Sequence, residues 1–242
     1  DTRISYGGSQ SLVQPNHAHE IVRNLLEDIG VDLDRFKTAY DTDFFRRNGL
    51  GAVTYFNKEV FGEDRVVQHP YCNYPNYVEG LQGAKLSSKE AAQQAPLSDS
   101  GKEQLLRVLN GGLHTLKVPK EELRNYTRTH FYFDYLKDTL GVTDPGVLRM
   151  ARHSGLDWGS TGTELMSIAA ARSCGALGFA PVAVFDEDNP YIHHFPDGNA
   201  GVARALVKWL IPGVARGNNA EELVLAKFNY AELDKSSNTA RI

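Results

Sequence analysis

A helical period that runs with few breaks from residue 87 to residue 173 constrains the fold of this chain more than any other feature. Apolar residues recur there at spacings of three and four, as expected of amphipathic helices. Ser98 is placed to cap one helix, and Pro119 and Pro145 suit first helical turns. Strand patterns are short and occur at 52–56, 65–67 and 181–185. The sequence therefore predicts a helix-rich α+β fold with a small mixed or antiparallel sheet.

Further helices are predicted on either side of this region. One begins near Asn16 and ends at Gly30, and its apolar stripe is Ile21, Val22, Leu25, Leu26 and Ile29. Another runs from Asn199 to Ile211, with a stripe of Val202, Leu206, Trp209 and Leu210. A third, at 164–174, is rich in small residues and can pack close to a neighbouring backbone.

Composition and motifs exclude several classes of function. A net charge of −4 argues against a broad basic face, so we expect no nucleic-acid partner. No apolar run approaches about 18 residues, so no membrane span is expected. Two cysteines without metal-ligand spacing predict no structural zinc. The chain also lacks a dinucleotide fingerprint, a phosphate-binding P-loop and the GxSxG motif of hydrolases.

The least ordinary segment is 189–201, which leads directly into a predicted helix. Gly198 and Gly201 would leave backbone amides accessible near the helix start, where anions and polar cofactor groups are favoured. The alternative is a loop that merely caps the helix, with Asp197 as the cap. Composition alone favours the cap, and it favours a structural role over metal binding for His193 and His194.

A second candidate segment is the aromatic run 130–135, which surrounds a carboxylate. Tyr132 and Asp134 could hold an ammonium group by cation–π contact and charge, although packing of a helix core is the commoner explanation. Glu164 could be a buried acid in a cleft, or a solvated carboxylate favoured by the helix dipole.

Two motifs together carry a resemblance to a known family. Residues 6–12 read Tyr-Gly-Gly-Ser-Gln-Ser-Leu, and residues 191–199 read Tyr-Ile-His-His-Phe-Pro-Asp-Gly-Asn. Both resemble bacterial spermidine dehydrogenases and their relatives in the flavin-dependent amine oxidase superfamily. The similarity covers the whole chain and includes 159–162, and the longer motif is the more specific of the two.

The resemblance implies a two-lobed FAD-dependent oxidoreductase, of which this chain would be a fragment that lacks the Rossmann unit. Residues 1–14 would be a flavin-proximal segment, 15–195 a substrate-side helical domain, and 196–242 a return helix and linker. The residues implied to lie near the cofactor are Gly7, Gly8, Ser9, Gln10, Pro196, Asp197, Gly198 and Asn199. A side chain at Gly198 is expected to crowd the cofactor.

The implied reaction is oxidation of a C–N bond in an amine such as spermidine, with hydride transfer to the flavin and hydrolysis of the imine. Tyr132, Asp134 and Glu164 are the substrate-binding candidates, and no catalytic residue is assigned. Family members are often periplasmic and some carry haem, but no haem ligand and no electron acceptor follows for this chain. The fragment alone is expected to be inactive and to hold no FAD.

Two other hypotheses remain open. The first is a non-catalytic helical binding module for a small amine or peptide. The second is a hydrolase that uses His193 or His194 as a base, for which the sequence indicates no nucleophile.

Overall fold

The computed structural model describes residues 4–12, 15–39, 41, 43–72, 86–154, 161–179 and 193–239. The strand expected at 181–185, the motif positions Tyr191 and Ile192, and Gly159 and Ser160 lie outside these residues. Within them the protein is helix-rich with short antiparallel strand pairs, which confirms the α+β class. None of the described helices is both long enough and apolar enough to cross a bilayer.

The strands are β1 Ser11–Leu12, β2 Thr54–Phe56, β3 Arg65–Val67 and β4 His193–His194. The first helices are α1 Glu20–Asp28, α2 Arg35–Ala39, α3 Phe44–Arg47, α4 Lys58–Phe61, α5 Ser88–Gln94 and α6 Asp99–Leu109. They are followed by α7 Lys120–Thr129, α8 Tyr132–Asp134, α9 Pro145–His153, α10 Ile168–Ser173, α11 Ala200–Leu210, α12 Ala220–Leu223 and α13 Ser236–Thr239. Short 3₁₀ turns occur at Pro15–His17, Leu113–Thr115, Pro212–Val214 and Tyr230–Glu232, and Tyr135–Thr139 is a π-helical turn.

The chain divides into two compact units. Unit 1 contains Asp1–Asp41 and Phe185–Ile242, and unit 2 contains Thr42–Val184. Unit 1 holds the antiparallel pair β1–β4, and unit 2 holds the antiparallel pair β2–β3. The division expected at 14/15 and 195/196 refers to an intact flavoenzyme and stays a prediction.

Unit 2 is built around buried aromatic and aliphatic side chains from α6, α8 and the π-helical turn. Tyr132, Tyr135, Leu105 and Leu136 are each at most 2% exposed. The buried hydroxyls are satisfied: Tyr132 donates to the carbonyl of Leu177, and Tyr135 accepts from the amide of Gly112 at 2.8 Å. Of the aromatic run at 130–135, Tyr132 and Tyr135 belong to the core, whereas His130, Phe131 and Asp134 are exposed.

The core of unit 1 joins α1 and α2 to α11 and α12. Its buried side chains include Leu26, Ile29, Phe36, Phe195, Ala205 and Leu223. Phe36 and Phe195 meet edge to face with ring centroids 5.1 Å apart. This contact anchors the start of the 195–199 turn against α2.

Three sequence-based expectations about helices need correction. In α1 only Leu26 is buried, because Ile21, Val22 and Leu25 face outward and are 38–72% exposed. In α11 Trp209 is 50% exposed, whereas the other stripe residues, Val202, Leu206 and Leu210, are partly buried against the core. The helix expected at 164–174 begins only at Ile168, because the Ser167 hydroxyl caps it by accepting from the amide of Ala170 at 3.1 Å.

Candidate functional site

The two motifs that carry the resemblance meet in unit 1, and we call residues 6–11 with 193–199 the motif junction. Asn199 joins the two segments of the junction. The backbone amide of Asn199 donates to the Ser9 carbonyl at 2.8 Å. Its side-chain amide donates to the Ser9 hydroxyl at 2.9 Å and to the Ser11 carbonyl at 3.0 Å. The pairing of β1 with β4 continues this contact along the backbone. Two segments that are 190 residues apart in the chain therefore form one local structure.

Local sequence explains the shape of the turn that precedes α11. Pro196 occupies its second position, and the amide of Gly198 donates to the carbonyl of Phe195 at 2.9 Å. Gly198 has φ +67°, a conformation that residues with a Cβ rarely adopt. The buried Phe195 ring fixes one end of the turn, and Asn199 fixes the other.

Gly198 is required for a close approach of the chain to itself. A Cβ built there would lie 2.2 Å from the Tyr6 carbonyl oxygen and 2.7 Å from that of Ser9. A side chain at position 198 was expected to crowd a cofactor. In the structure it would instead collide with the chain's own backbone at Tyr6 and Ser9. The double-glycine segment, rather than the turn, is the open side of the junction.

Gly7 and Gly8 lie in the opposite situation. A Cβ at either position would have no heavy atom within 4 Å, and residues 7–10 are all exposed. Gly7 has φ +62° and so needs glycine for its conformation, whereas Gly8 does not. The 7–10 segment thus presents accessible backbone at the surface of unit 1.

Two side chains of the junction carry buried acceptors with no donor. Both carboxylate oxygens of Asp197 and the amide oxygen of Asn199 are buried and have no hydrogen-bond partner. A buried acceptor without a partner costs about 1–3 kcal/mol, and more when it is charged. The three oxygens therefore favour a group that supplies O–H or N–H donors or a positive charge.

His194 connects the junction to a serine. The Ser11 hydroxyl and His194 Nε2 are 2.8 Å apart, and the Tyr6 ring lies 4.9 Å from the imidazole, centroid to centroid. Burial lowers the pKa of His194 below its ordinary value. His193 pairs through its backbone with Leu12. Among the described residues, no three His, Cys, Asp or Glu side chains are grouped so that they could hold a metal ion.

The junction carries unpartnered acceptors of the kind that hydroxyl and N–H groups of a flavin cofactor pair with. A flavin dinucleotide carries ribityl and ribose hydroxyls and a ring N–H, which are the donors that the oxygens of Asp197 and Asn199 lack. The exposed 7–10 backbone could accept the close approach of such a group. The glycine-rich loop that usually anchors a dinucleotide's pyrophosphate is absent from this sequence.

The three substrate-binding candidates have different surroundings in unit 2. Tyr132 is buried in the core, and Asp134 is exposed. Glu164 lines an open groove, and its carboxylate lies 4.0 Å from the Arg152 guanidinium. The groove also contains Arg149 and His153, so its charged side chains do not favour a polycation beside Glu164.

A cavity that the sequence interpretation did not anticipate adjoins this groove. It has a volume of about 380 Å³ and is lined by residues of β2, α4, α9 and the segment 70–72. His153 lines both spaces. The available sequence signal was the spacing of Arg149, Arg152 and His153, which share one helix face.

No model of a protein family matches the chain, and no curated protein shows significant similarity to it.

Proposed function

We propose that the chain is part of an FAD-dependent oxidoreductase that oxidises a C–N bond of an amine, with a polyamine of the spermidine class as substrate. The observation that supports this most is the motif junction. The two sequence motifs that resemble spermidine dehydrogenases lie against each other although 190 residues separate Ser9 from Asn199. A shared structural role explains why both motifs occur in one chain.

In this proposal the junction holds the cofactor and the rest of unit 1 positions it. The side chains of Asp197 and Asn199 accept hydrogen bonds from cofactor hydroxyl or N–H groups. Gly7, Gly8, Ser9 and Gln10 offer exposed backbone, and Pro196 and Gly198 set the turn that orients the acceptors. Bound FAD supplies the capacity to take a hydride from the amine carbon. The proposed location is the periplasm. No residue is assigned to a haem group or to the electron acceptor.

The test uses the complete reading frame that encodes this segment. We expect the purified protein to show flavin absorbance, and spermidine without oxygen to bleach it. The 242-residue chain alone should not retain FAD, because it has no pyrophosphate loop. A full-length protein without flavin, or with flavin that no amine reduces, would refute the proposal.

A matched pair of variants connects the activity to the junction. Asp197→Asn should lower flavin occupancy, since the amide is a poorer acceptor and brings competing donors. Asp234→Asn removes one exposed carboxylate from the same unit and should leave flavin occupancy unchanged. Equal occupancy in both variants would remove Asp197 from the cofactor site.

One observation favours a second candidate, a serine hydrolase. Ser11 and His194 form a hydrogen-bonded hydroxyl–imidazole pair, the contact by which a general base activates a nucleophile. A fluorophosphonate probe should label wild-type protein but not Ser11→Ala if this pair is reactive. Absence of labelling in the wild type would eliminate the candidate. A full-length protein that binds amines but carries no flavin would favour the hypothesis of a non-catalytic binding module.

A further inference from the structure

The cavity in unit 2 and the groove beside it share His153 as a lining residue and differ in chemical character. The cavity of about 380 Å³ falls in the size range of small-molecule sites. Its walls include the apolar side chains of Phe56, Phe61, Met150 and Leu177. Apolar side chains on the walls of a partly open cavity favour the apolar part of a guest.

The polar side chains in the cavity wall are mostly committed to the chain itself. Asn57 caps α4 by accepting from the Val60 amide at 2.9 Å. The Ser154 hydroxyl donates to the Ala151 carbonyl and accepts from the Leu177 amide. The Tyr71 hydroxyl donates to the Ala91 carbonyl at 2.7 Å. With these groups engaged, the interior offers mainly apolar contact to a guest.

The backbone at Tyr71 supports a functional role for the cavity. Tyr71 has φ +56°, a strained conformation for a bulky residue, and its ring is 5% exposed. Its amide donates to His69 Nδ1 at 2.9 Å, and its ring meets that of Phe56 edge to face at 5.6 Å. Strain of this kind is concentrated at ligand sites because the surrounding structure must hold it in place.

Helix α9 contributes to both spaces, and its two arginines line the groove. Met150, His153 and Ser154, at and just beyond its end, line the cavity, whereas Arg149, Arg152 and His153 line the groove. Arg149 donates to the Val60 carbonyl at 3.3 Å, which places its guanidinium close to the cavity wall. Among the described residues that line the groove, Glu164 is the one carboxylate, beside the two guanidinium groups of Arg149 and Arg152. The charged side chains therefore favour an anion.

We propose that unit 2 binds an amphiphilic monocarboxylate, such as a medium-chain fatty acid. The alkyl chain fills the apolar cavity, and the carboxylate lies in the groove near Arg149 and Arg152, where guanidinium groups bind carboxylates well. The proposal is independent of the flavin proposal, because its residues belong to the other unit.

The test is calorimetric titration of the 242-residue chain with decanoate, and with decylammonium as a probe of equal length and opposite charge. We expect saturable binding of one decanoate and none of decylammonium at the same concentration. This comparison needs no variant. Absence of decanoate binding, or equal binding of the two probes, would overturn the proposal.

Two variants locate the site. Arg149→Met with Arg152→Met should weaken decanoate binding about tenfold or more, as expected for loss of charge-assisted hydrogen bonds. Arg124→Met with Arg128→Met removes the same charge from α7 and should leave binding within about twofold of wild type. Val60→Trp fills the cavity mouth and should abolish binding. Thermal melting verifies that each variant is folded. Unchanged binding in the arginine pair or in Val60→Trp would refute the site.

Discussion

At the scale of single residues, the junction contains glycines with opposite requirements. Gly198 lies against the carbonyls of Tyr6 and Ser9, whereas Gly8 faces open space. A substitution at Gly198 therefore acts on the fold of unit 1, and a substitution at Gly8 acts on whatever approaches from outside. The two effects can be separated experimentally because both residues lie in one small structure.

Gly198→Val should destabilise unit 1 by at least about 2 kcal/mol. Its side chain would collide with backbone oxygens, and valine is strained at positive φ. Gly8→Ala is the control and should change stability by less than about 0.5 kcal/mol. Chemical denaturation measures both. A Gly198→Val protein as stable as the wild type would show that the 6–11 segment does not pack there in solution.

Asp197→Asn should raise the melting temperature of the chain when no ligand is bound. Its carboxylate is buried without a donor, so a neutral isostere removes a desolvation cost of about 1–2 kcal/mol. A stability gain with loss of ligand binding is typical of a functional group that is strained in the free protein. A lower melting temperature would indicate that the carboxylate already has a partner.

Acidification should destabilise unit 1 through His194. Its pKa is lowered by burial in the folded protein, so the unfolded chain takes up a proton first as the pH falls. The stabilisation is complete above the unfolded pKa, near 6.5, and is lost as the pH falls through the folded pKa. His194→Gln should reduce the dependence of the melting temperature on pH between about pH 7 and pH 5. An unchanged slope would exclude His194 as the titrating group.

At the scale of elements, one carboxylate links two helix starts in unit 2. Asp144 Oδ1 accepts from the amides of Gly146 and Val147 at the start of α9. Asp144 Oδ2 accepts from the hydroxyl of Ser98, which itself caps α6. Gln104 completes the arrangement, since its side-chain oxygen accepts from the amides of Thr143 and Asp144. Asp144 therefore caps the start of α9 and also links it to the start of α6.

Asp144→Ala should lower the free energy of unfolding by about 1–3 kcal/mol, since it removes a cap and its link to Ser98. Asp99→Ala is the matched control: its carboxylate is fully exposed and its nearest cation is 3.9 Å away. We expect that variant to remain within about 0.5 kcal/mol of wild type. Equal effects in urea denaturation would contradict the double role of Asp144.

At the scale of the whole molecule, the chain builds unit 1 from its two ends and unit 2 from its middle. Unit 1 therefore depends on contacts of long sequence separation, such as that of Ser11 with His194, 183 residues apart. Contacts of this separation carry a high loop-closure entropy. Unit 2 is formed by one continuous stretch of the chain, so it needs no contact between the two ends of the chain.

Deletion of residues 1–12 should affect unit 1 alone. It removes β1 and both partners of Asn199, so hydrogen exchange should accelerate in 193–201. Protection in 99–109 of unit 2 should stay at the wild-type level, since α6 packs within its own core. Equal loss of protection in both segments would show that the two units unfold together.

Local features of the structure were predictable from the sequence. The α6 helix with its Ser98 cap, the start of α9 at Pro145 and the strand at Arg65–Val67 all lie where the pattern placed them. Each depends on residues within one or two turns of one another, and caps, prolines and alternation report such short-range energies directly. The resemblance implied only that both motifs lie near a cofactor, and the pairing of their backbones is a finding of the structure.

Tertiary structure alone decided which faces are buried and which groups meet. The period of α1 placed Ile21 and Leu26 on one stripe, yet only Leu26 reaches the core, because burial depends on neighbours far away in the chain. Long-range packing also decided that the Tyr6 backbone lies against Gly198 and that the Asp197 oxygens have no partner. It likewise formed the cavity beside α9. Short-range preferences thus determined the elements, whereas long-range packing determined the sites, because a site is formed by distant residues that no local pattern relates.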